Sequence, residues 1–156
     1  MRKPKANRYS RNDELADILF LIRRAFAYMD GRIDPPSSMH RLTVEDIARQ
    51  CKTGEVWALG NPPEACIFLT PKSDCLYLGK MSVVEEARGR GLGRGLITLA
   101  TERARAMGFP CLELQTRIEL VDNHRIFEAM GFEKCGETAH PGYDHITSIT
   151  MRKRID

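Results

Sequence analysis

The sequence predicts an α+β fold: a single domain whose mixed central sheet of about six to seven strands is flanked by about four helices. A length of 156 residues suits one domain with one core, which we take to span residues 1–156. Apolar residues recur at helical spacing in some segments and alternate with polar residues in others. The order of these segments is mixed, because two helices come first, then a run of strands, then further strands alternating with helices, and finally a hairpin.

The first elements lie on either side of a proline-rich loop. Residues 1–10 form a basic segment that contains a short candidate strand. Ser10 or Asn12 is expected to cap the first helix, which apolar residues at helical spacing extend to about Tyr28. Residues 29–38 are expected to form a loop, because glycine and paired prolines interrupt both helices and strands.

A second helix and three strands follow this loop. Thr43 and Asp46 have the spacing of a capping box for a helix that reaches Gln50. Gly54 then ends the helical pattern. The strands are expected at residues 56–59, 65–70 and 75–84, and side chains of the third should alternate between its two faces to the end.

The second half alternates between helix and strand. A helix is expected from Gly91 to Gly108, followed by a strand over 111–116. Asp122 or Asn123 is expected to cap the next helix. The closing hairpin comprises residues 133–138 and 147–152.

Charge and hydropathy exclude several classes of protein. Lysine and arginine number 24 against 21 acidic residues, a net charge of +3. The excess lies in residues 1–11 and 88–105, and such short blocks suit a compact anion better than a nucleic acid. The longest apolar run, 18–22, is far shorter than the roughly 20 residues that span a bilayer. The N-terminus also lacks the apolar core of a signal peptide, so we expect a cytoplasmic protein without a membrane partner.

Cysteine and histidine patterns indicate neither disulfides nor metal. The five cysteines are odd in number and contain no C-x-x-C pair. We interpret them as small core residues. The histidine spacings match no metal-binding motif, so no metal is expected.

The most informative segment is a run of glycine and arginine between a predicted strand and a predicted helix. Glycine lets main-chain N–H groups approach an anion without obstruction by Cβ atoms. A helix N-terminus adds unpaired N–H donors and the positive end of the helix dipole. The segment therefore predicts a phosphate-binding loop formed by Arg88, Gly89, Arg90, Gly91, Leu92, Gly93 and Arg94.

Other interpretations of this loop fit the sequence less well. No Gly-Lys-Ser/Thr follows, which excludes a P-loop, and the glycines do not keep the spacing of a dinucleotide-binding fingerprint. A disordered RNA-binding segment would not continue into an amphipathic helix. A glycine-rich turn with solvated arginines is the remaining alternative, although so many glycines oppose the start of a helix.

The residues around this loop resemble the GNAT superfamily of acyl-CoA-dependent N-acetyltransferases. Arg88-x-x-Gly91-x-Gly93 is similar to its R/Q-x-x-G-x-G/A signature. The segment 78–83 resembles the family's fourth strand, and 123–132 resembles its N-x-x-x-Y-x-x-x-G-F segment. The resemblance covers residues 76–138, and the N-terminal half agrees only in the order of its elements.

This resemblance implies acetyl-CoA as cosubstrate and assigns residues to it. The amides of the phosphate-binding loop would bind the diphosphate. The strand before the loop would supply backbone groups for the pantetheine arm and polarise the thioester carbonyl. Asn123 would contact the pantetheine or the substrate, the alternative being a helix cap. The implied coenzyme-binding residues outside the loop are Met81, Ser82, Val83, Asn123 and Phe127.

Catalytic groups are harder to assign. The family often has a tyrosine, acting as general acid on the departing thiolate, where this chain has Phe127. Tyr143 is a candidate replacement, or else a surface tyrosine of a turn. Glu113 is a candidate general base, because a buried, isolated carboxylate has a raised pKa. The alternative for Glu113 is a structural ion pair, for which Lys80 is a candidate partner.

The reaction implied is acetyl transfer to a primary amine by direct attack in a ternary complex. The acceptor would be a small molecule or a peptide, and Tyr28, Asp30 and Asp34 are candidates to contact a cationic substrate. Alternatives are a non-catalytic acyl-CoA-binding module and, less favoured, a nucleic-acid-binding protein. The oligomeric state is left open, a homodimer included.

Overall fold

A mixed sheet of seven strands forms the centre of the structure, a computed structural model that describes residues 5–155 except for the side chain of Tyr28. Residues 1–4 of the basic segment lie outside the described residues. The strands are β1 (Ala6–Tyr9), β2 (Glu55–Leu59), β3 (Ala65–Pro71), β4 (Leu76–Val83), β5 (Cys111–Arg117), β6 (Glu133–Thr138) and β7 (Ser148–Arg154). They lie in the order β1-β2-β3-β4-β5-β7-β6.

The longer helices within the described residues confirm the predicted α+β class. They are α1 (Ala16–Phe26), α2 (Val44–Thr53), α3 (Leu92–Met107) and α4 (Val121–Ala129). Short 3-10 turns occupy Ala27–Met29, Ser38–Arg41 and Glu85–Ala87. No helix of the described chain is both long enough and apolar enough to cross a membrane.

The sheet divides the helices between its two faces. Glu55 of β2 reaches Arg103 of α3 through a hydrogen bond of 2.8 Å. Leu69 pairs with Glu55 and lies on that same face, so the next residue of β3, Thr70, points to the opposite face. There Thr70 accepts a hydrogen bond of 2.9 Å from Gln50 of α2. α1 packs beside α2 and against β3 and β4.

The strands β4 and β5 separate partway along their length. All other neighbours in the sheet are antiparallel, and β4 pairs with β5 in parallel only from Leu76–Leu112 to Leu78–Leu114. Both strands continue, β4 to Val83 and β5 to Arg117. A gap therefore opens between them in the middle of the sheet.

Local sequence signals predicted α2 correctly and misplaced the starts of two other helices. The capping box is confirmed, since the Thr43 hydroxyl accepts from the Asp46 N–H and the Asp46 carboxylate accepts from the Thr43 N–H. Neither α1 nor α4 has the predicted side-chain cap. Each begins after a buried leucine, Leu15 at 2% exposure and Leu120 at 5%, because burying that side chain sets where the chain turns into the helix.

Only some of the cysteines are buried in the core, where the sequence analysis placed all five. Cys66 and Cys75 are buried, whereas Cys135 is exposed. Burial raises the pKa of Cys66 and of Cys75 to about 12, so both remain thiols at neutral pH. None of the cysteines lines the cavities described below.

Candidate functional site

The loop between β4 and α3 is built on glycines with left-handed backbone. Gly89 has φ 81° and Gly91 has φ 80°, conformations that residues with a Cβ rarely adopt. A Cβ atom built on Gly89, Gly91 or Gly93 would meet no atom within 4 Å. The space beside this phosphate-binding loop is therefore open.

The main-chain N–H groups of the loop are available to a ligand. Within the described residues, those of positions 89–94 have no hydrogen-bond acceptor. The first bond of α3 runs from the Gly95 N–H to the Gly91 carbonyl oxygen, at 3.0 Å. Gly91 also offers no side chain to cap the helix. Such a cluster of N–H donors at a helix N-terminus suits a diphosphate.

The arginine side chains of the loop are less available to bind an anion than the sequence suggested. Arg88 donates to the carbonyl oxygen of Ala25 at 3.3 Å. Arg90 pairs with Glu64 at 2.8 Å. Arg94 is exposed on the first turn of α3. Two of the three arginines of this loop are therefore engaged by other residues, which leaves the unpaired main-chain N–H groups as the donors best placed for an anion.

A β-bulge in β4 overturns the predicted alternation of its side chains. Gly79 pairs with Phe68 and Ser82 with Cys66, so Lys80 and Met81 together oppose a single residue of β3. Lys80 has φ 47°, the one non-glycine residue with positive φ in the described chain. As a result Lys80 and Met81 both line the same cavity instead of facing opposite sides of the sheet.

Two cavities meet at the gap between β4 and β5. The loop-side cavity, of about 400 Å³, includes Ser82, Val83 and Arg88 in its lining. The deep cavity, of about 490 Å³, extends under the proline-rich loop and over the sheet face that carries α2. Both cavities are lined by Phe26, Met81, Leu120, Asn123 and Phe127.

Asn123 and Phe127 both lie at this junction, one helical turn apart on α4. Asn123 is the third residue of the helix, so the alternative that it caps α4 is wrong. Phe127 packs edge-to-face on Phe132, with ring centroids 5.8 Å apart. The two side chains are thus positioned where the contents of the two cavities would come into contact.

Glu113 does not have the isolated environment that the sequence analysis expected. Its carboxylate accepts from Lys72 at 3.1 Å and from Arg152 at 2.8 Å, so the guess of Lys80 as partner was wrong. Burial alone would raise the pKa of Glu113, but its bonds to these cations hold it below its usual value. Glu113 also lies outside the lining of both cavities.

Tyr143 is engaged away from the cavity junction. Its hydroxyl donates to the Asp34 carboxylate at 2.6 Å, and this bond raises the pKa of Tyr143. The side chain lines neither cavity. The contact joins the proline-rich loop to the loop between β6 and β7, which favours a structural role over that of a general acid.

The acids expected to contact a cationic substrate are also paired elsewhere. Asp30 accepts from His40 at 2.7 Å, and Asp34 holds the tyrosine described above. The side chain of Tyr28, the third candidate, lies outside the described residues. Neither acid lines the deep cavity.

Sequence analysis missed the basic residues that do line the deep cavity. They are Arg41, Lys80, Arg117 and His140. They come from four separate segments, so no local spacing could have grouped them. Burial lowers the pKa of Lys80 and of His140, and neighbouring arginines lower both further.

Comparison with known protein families identifies one family for this chain. The description of that family is Acetyltransferase (GNAT) family, and its profile matches residues 41–132. The chain is also 39% identical over 62 residues to a protein of Escherichia coli (strain K12) named uncharacterized N-acetyltransferase YjgM. That alignment covers 40% of this chain and 37% of the relative's length.

Solved structures share the whole fold at low sequence identity. An acetyltransferase from Streptococcus agalactiae 2603 superposes with a TM-score of 0.75 at 22% identity, covering 99% of this chain and 100% of that one. A GNAT family acetyltransferase from Elizabethkingia anophelis, solved with acetyl-CoA bound, gives 0.69 at 14% identity and covers 97% of each chain. These likenesses confirm the arrangement of strands and helices.

Proposed function

This chain belongs to the GNAT family of acetyltransferases, and from that premise we propose that it transfers the acetyl group of acetyl-CoA to a primary amine in a ternary complex. The observation that carries the proposal is the row of unpaired main-chain N–H groups at residues 89–94 beside open space. These groups fit the diphosphate of the coenzyme. The loop-side cavity continues from there to the gap in the sheet, so it fits the pantetheine arm.

The deep cavity is then the site of the acceptor. It meets the loop-side cavity at Met81, Asn123 and Phe127, so a thioester there would face an amine in the deep cavity. The neutral amine nitrogen attacks the carbonyl carbon, a C–N bond forms and the C–S bond breaks. Sulfur leaves as thiolate and takes up a proton, while the nitrogen loses one. No covalent intermediate on the protein is required.

The surroundings of the deep cavity favour the neutral amine that this reaction needs. Lys80 and Arg117 would repel an ammonium group in the same space. His140 lines the cavity, and its lowered pKa keeps its imidazole neutral at physiological pH. A neutral imidazole is able to accept the proton that the amine releases.

Steady-state kinetics test the proposal against a non-catalytic acyl-CoA-binding module. With both substrates varied, free thiol release should follow intersecting double-reciprocal lines, because both substrates bind before either product leaves. Parallel lines would indicate a covalent acetyl-enzyme. Stabilisation by acetyl-CoA without thiol release on a broad amine panel would favour the binding module. Salt-sensitive binding of polynucleotide without any response to coenzyme A would favour nucleic-acid binding.

A tyrosine at position 127 should accelerate the reaction. Phe127 has no proton for the leaving sulfur, whose conjugate thiol has a pKa of about 8.5. We expect Phe127→Tyr to raise kcat by up to roughly tenfold below that pH, with the gain fading above it. Phe20→Tyr is the matched control, since Phe20 is exposed on α1. If kcat of Phe127→Tyr equals that of the native protein from pH 6 to 9, residue 127 does not lie beside the leaving sulfur.

A further inference from the structure

The ionisable side chains that line the deep cavity are predominantly cationic. Arg41, Lys80 and Arg117 line it with His140, and no carboxylate of the described residues does. The carboxylate of Asp34, on the loop above, is occupied by a tyrosine hydroxyl 2.6 Å away. The lining of the cavity therefore carries a positive charge, and the carboxylates of Asp34 and Glu119 act on Arg117 from outside that lining.

Arg117 adds an unsatisfied hydrogen-bond donor to this charge. Its Nη2 donates to the carbonyl oxygen of Pro36 at 3.2 Å. Its Nη1 is buried and has no hydrogen-bond partner. Every other buried side-chain nitrogen or oxygen of the described residues has one. Leaving such a donor buried and unpaired is costly, and native structures do so rarely. A ligand acceptor at Nη1 would remove that cost.

We propose that the acceptor amine carries a carboxylate, as an amino acid does, and that the guanidinium group of Arg117 binds this carboxylate. The inference rests on the proposed acetyl transfer and adds the chemical class of the acceptor. Guanidinium is the side chain best matched to a carboxylate, because its planar donors match the carboxylate oxygens. The carboxylate would also neutralise part of the charge contributed by Lys80.

The position of Lys80 supports the same conclusion. The bulge in β4 turns its side chain into the cavity, where Nζ donates to the Ser38 hydroxyl at 2.6 Å rather than to an acid. Burial lowers the pKa of Lys80, and Arg117 and Arg41 lower it further. An excess of positive charge in the cavity lining disfavours a diamine or another cationic acceptor and stabilises an anionic one.

The acceptor class is tested with matched substrates. Each amino acid of a panel is compared with its amide and with its decarboxylated amine, for example phenylalanine with phenylalaninamide and phenethylamine. We expect kcat/KM for the amino acid to exceed that of both partners by at least tenfold. Phosphoethanolamine is included because a guanidinium group also binds phosphate.

The residue assignment is tested with Arg117→Met. It should lower kcat/KM for the amino acid by about a hundredfold and change that for the decarboxylated amine far less, so the ratio between the two substrates collapses. A purely structural role would lower both values together. Arg125→Met, which removes an exposed arginine of α4, is the matched control and should leave the ratio as it is. Binding of the N-acetylated amino acid to the coenzyme A complex, measured by calorimetry, should also be lost in Arg117→Met only.

The outcomes separate this inference from the proposal beneath it. Coenzyme binding without acetylation of any amine would overturn the proposed function. Two results would leave acetyl transfer in place but contradict an acceptor that carries a carboxylate. One is acetylation of amides or diamines as efficiently as of amino acids, and the other is a preference for phosphoethanolamine. An unchanged substrate ratio in Arg117→Met would overturn the role of that residue.

Discussion

Gly91→Asp is expected to abolish coenzyme binding while the protein remains folded. The new carboxylate would lie beside the N–H groups that we assign to the diphosphate, in space that no protein atom fills within 4 Å of a Cβ. Repulsion between the like charges would weaken binding at least a hundredfold, or about 2.8 kcal/mol. The measurement is calorimetric titration of the variant with coenzyme A.

A second glycine supplies the control for backbone strain. Gly142 has φ 86° where Gly91 has 80°, and both have open space around a built Cβ. Aspartate at either position should therefore cost a similar free energy of unfolding, on the order of 1 kcal/mol. Only Gly91→Asp should lose its affinity for coenzyme A. Equal affinity of the two variants would count against the assigned loop.

Arg152→Met is expected to cost the largest loss of stability among the variants considered. Arg152 donates to Glu113 at 2.8 Å and to Asp74 at 3.1 Å, and Glu113 is buried between β4 and β7. Removing the guanidinium group leaves Glu113 with Lys72 as its one cation and with the weak donor Cys75 Sγ at 3.8 Å. A buried carboxylate that loses a partner should lower the free energy of unfolding by about 2–3 kcal/mol in urea denaturation.

Two further variants make this expectation specific. Arg154→Met removes an exposed arginine from the same strand and should change stability by less than about 0.5 kcal/mol. Adding Glu113→Gln to Arg152→Met should recover part of the loss, because the unpaired charge is gone. A loss in Arg152→Met no larger than in Arg154→Met would show that the ion pair contributes nothing.

The contribution of Glu113 should depend on pH in a defined direction. Its pKa is lower in the folded protein than in the unfolded chain, where it is about 4.3. Its stabilising effect is therefore complete above that value and is lost as the pH falls through the lower, folded pKa. The stability difference between the native protein and Glu113→Gln should shrink in that acidic range. Acetyl transfer by Glu113→Gln should continue, since the residue lies outside both cavities.

Features set by local sequence could be predicted, and those set by distant contacts could not. The capping box of α2 depends on Thr43 and Asp46 alone, and the turn that leads into α3 depends on adjacent glycines. The starts of α1 and α4 instead follow the burial of Leu15 and Leu120, which the whole core determines. Residues chosen from the sequence as helix caps therefore placed the starts of these helices only to within a few residues.

The site shows the same division. The resemblance pointed to the loop and to residues of β4, but the bulge at Lys80 was missed, although the preceding Gly79 lies inside the strand and such a glycine often marks a bulge. Glu113 was predicted to be isolated because its partners, Lys72 and Arg152, lie far from it in sequence. The positive charge of the deep cavity could likewise not be predicted, since Arg41 and Arg117 come together only in the folded chain.

Amide NMR during titration with coenzyme A measures directly whether main-chain nitrogens at the start of α3 bind the coenzyme diphosphate. We expect saturable shifts of the N–H resonances of Gly89, Gly91 and Gly93, with little change at Gly108 and Gly142, which lie outside the lining of the loop-side cavity. Saturable binding that shifts the first three no more than the others would contradict this expectation.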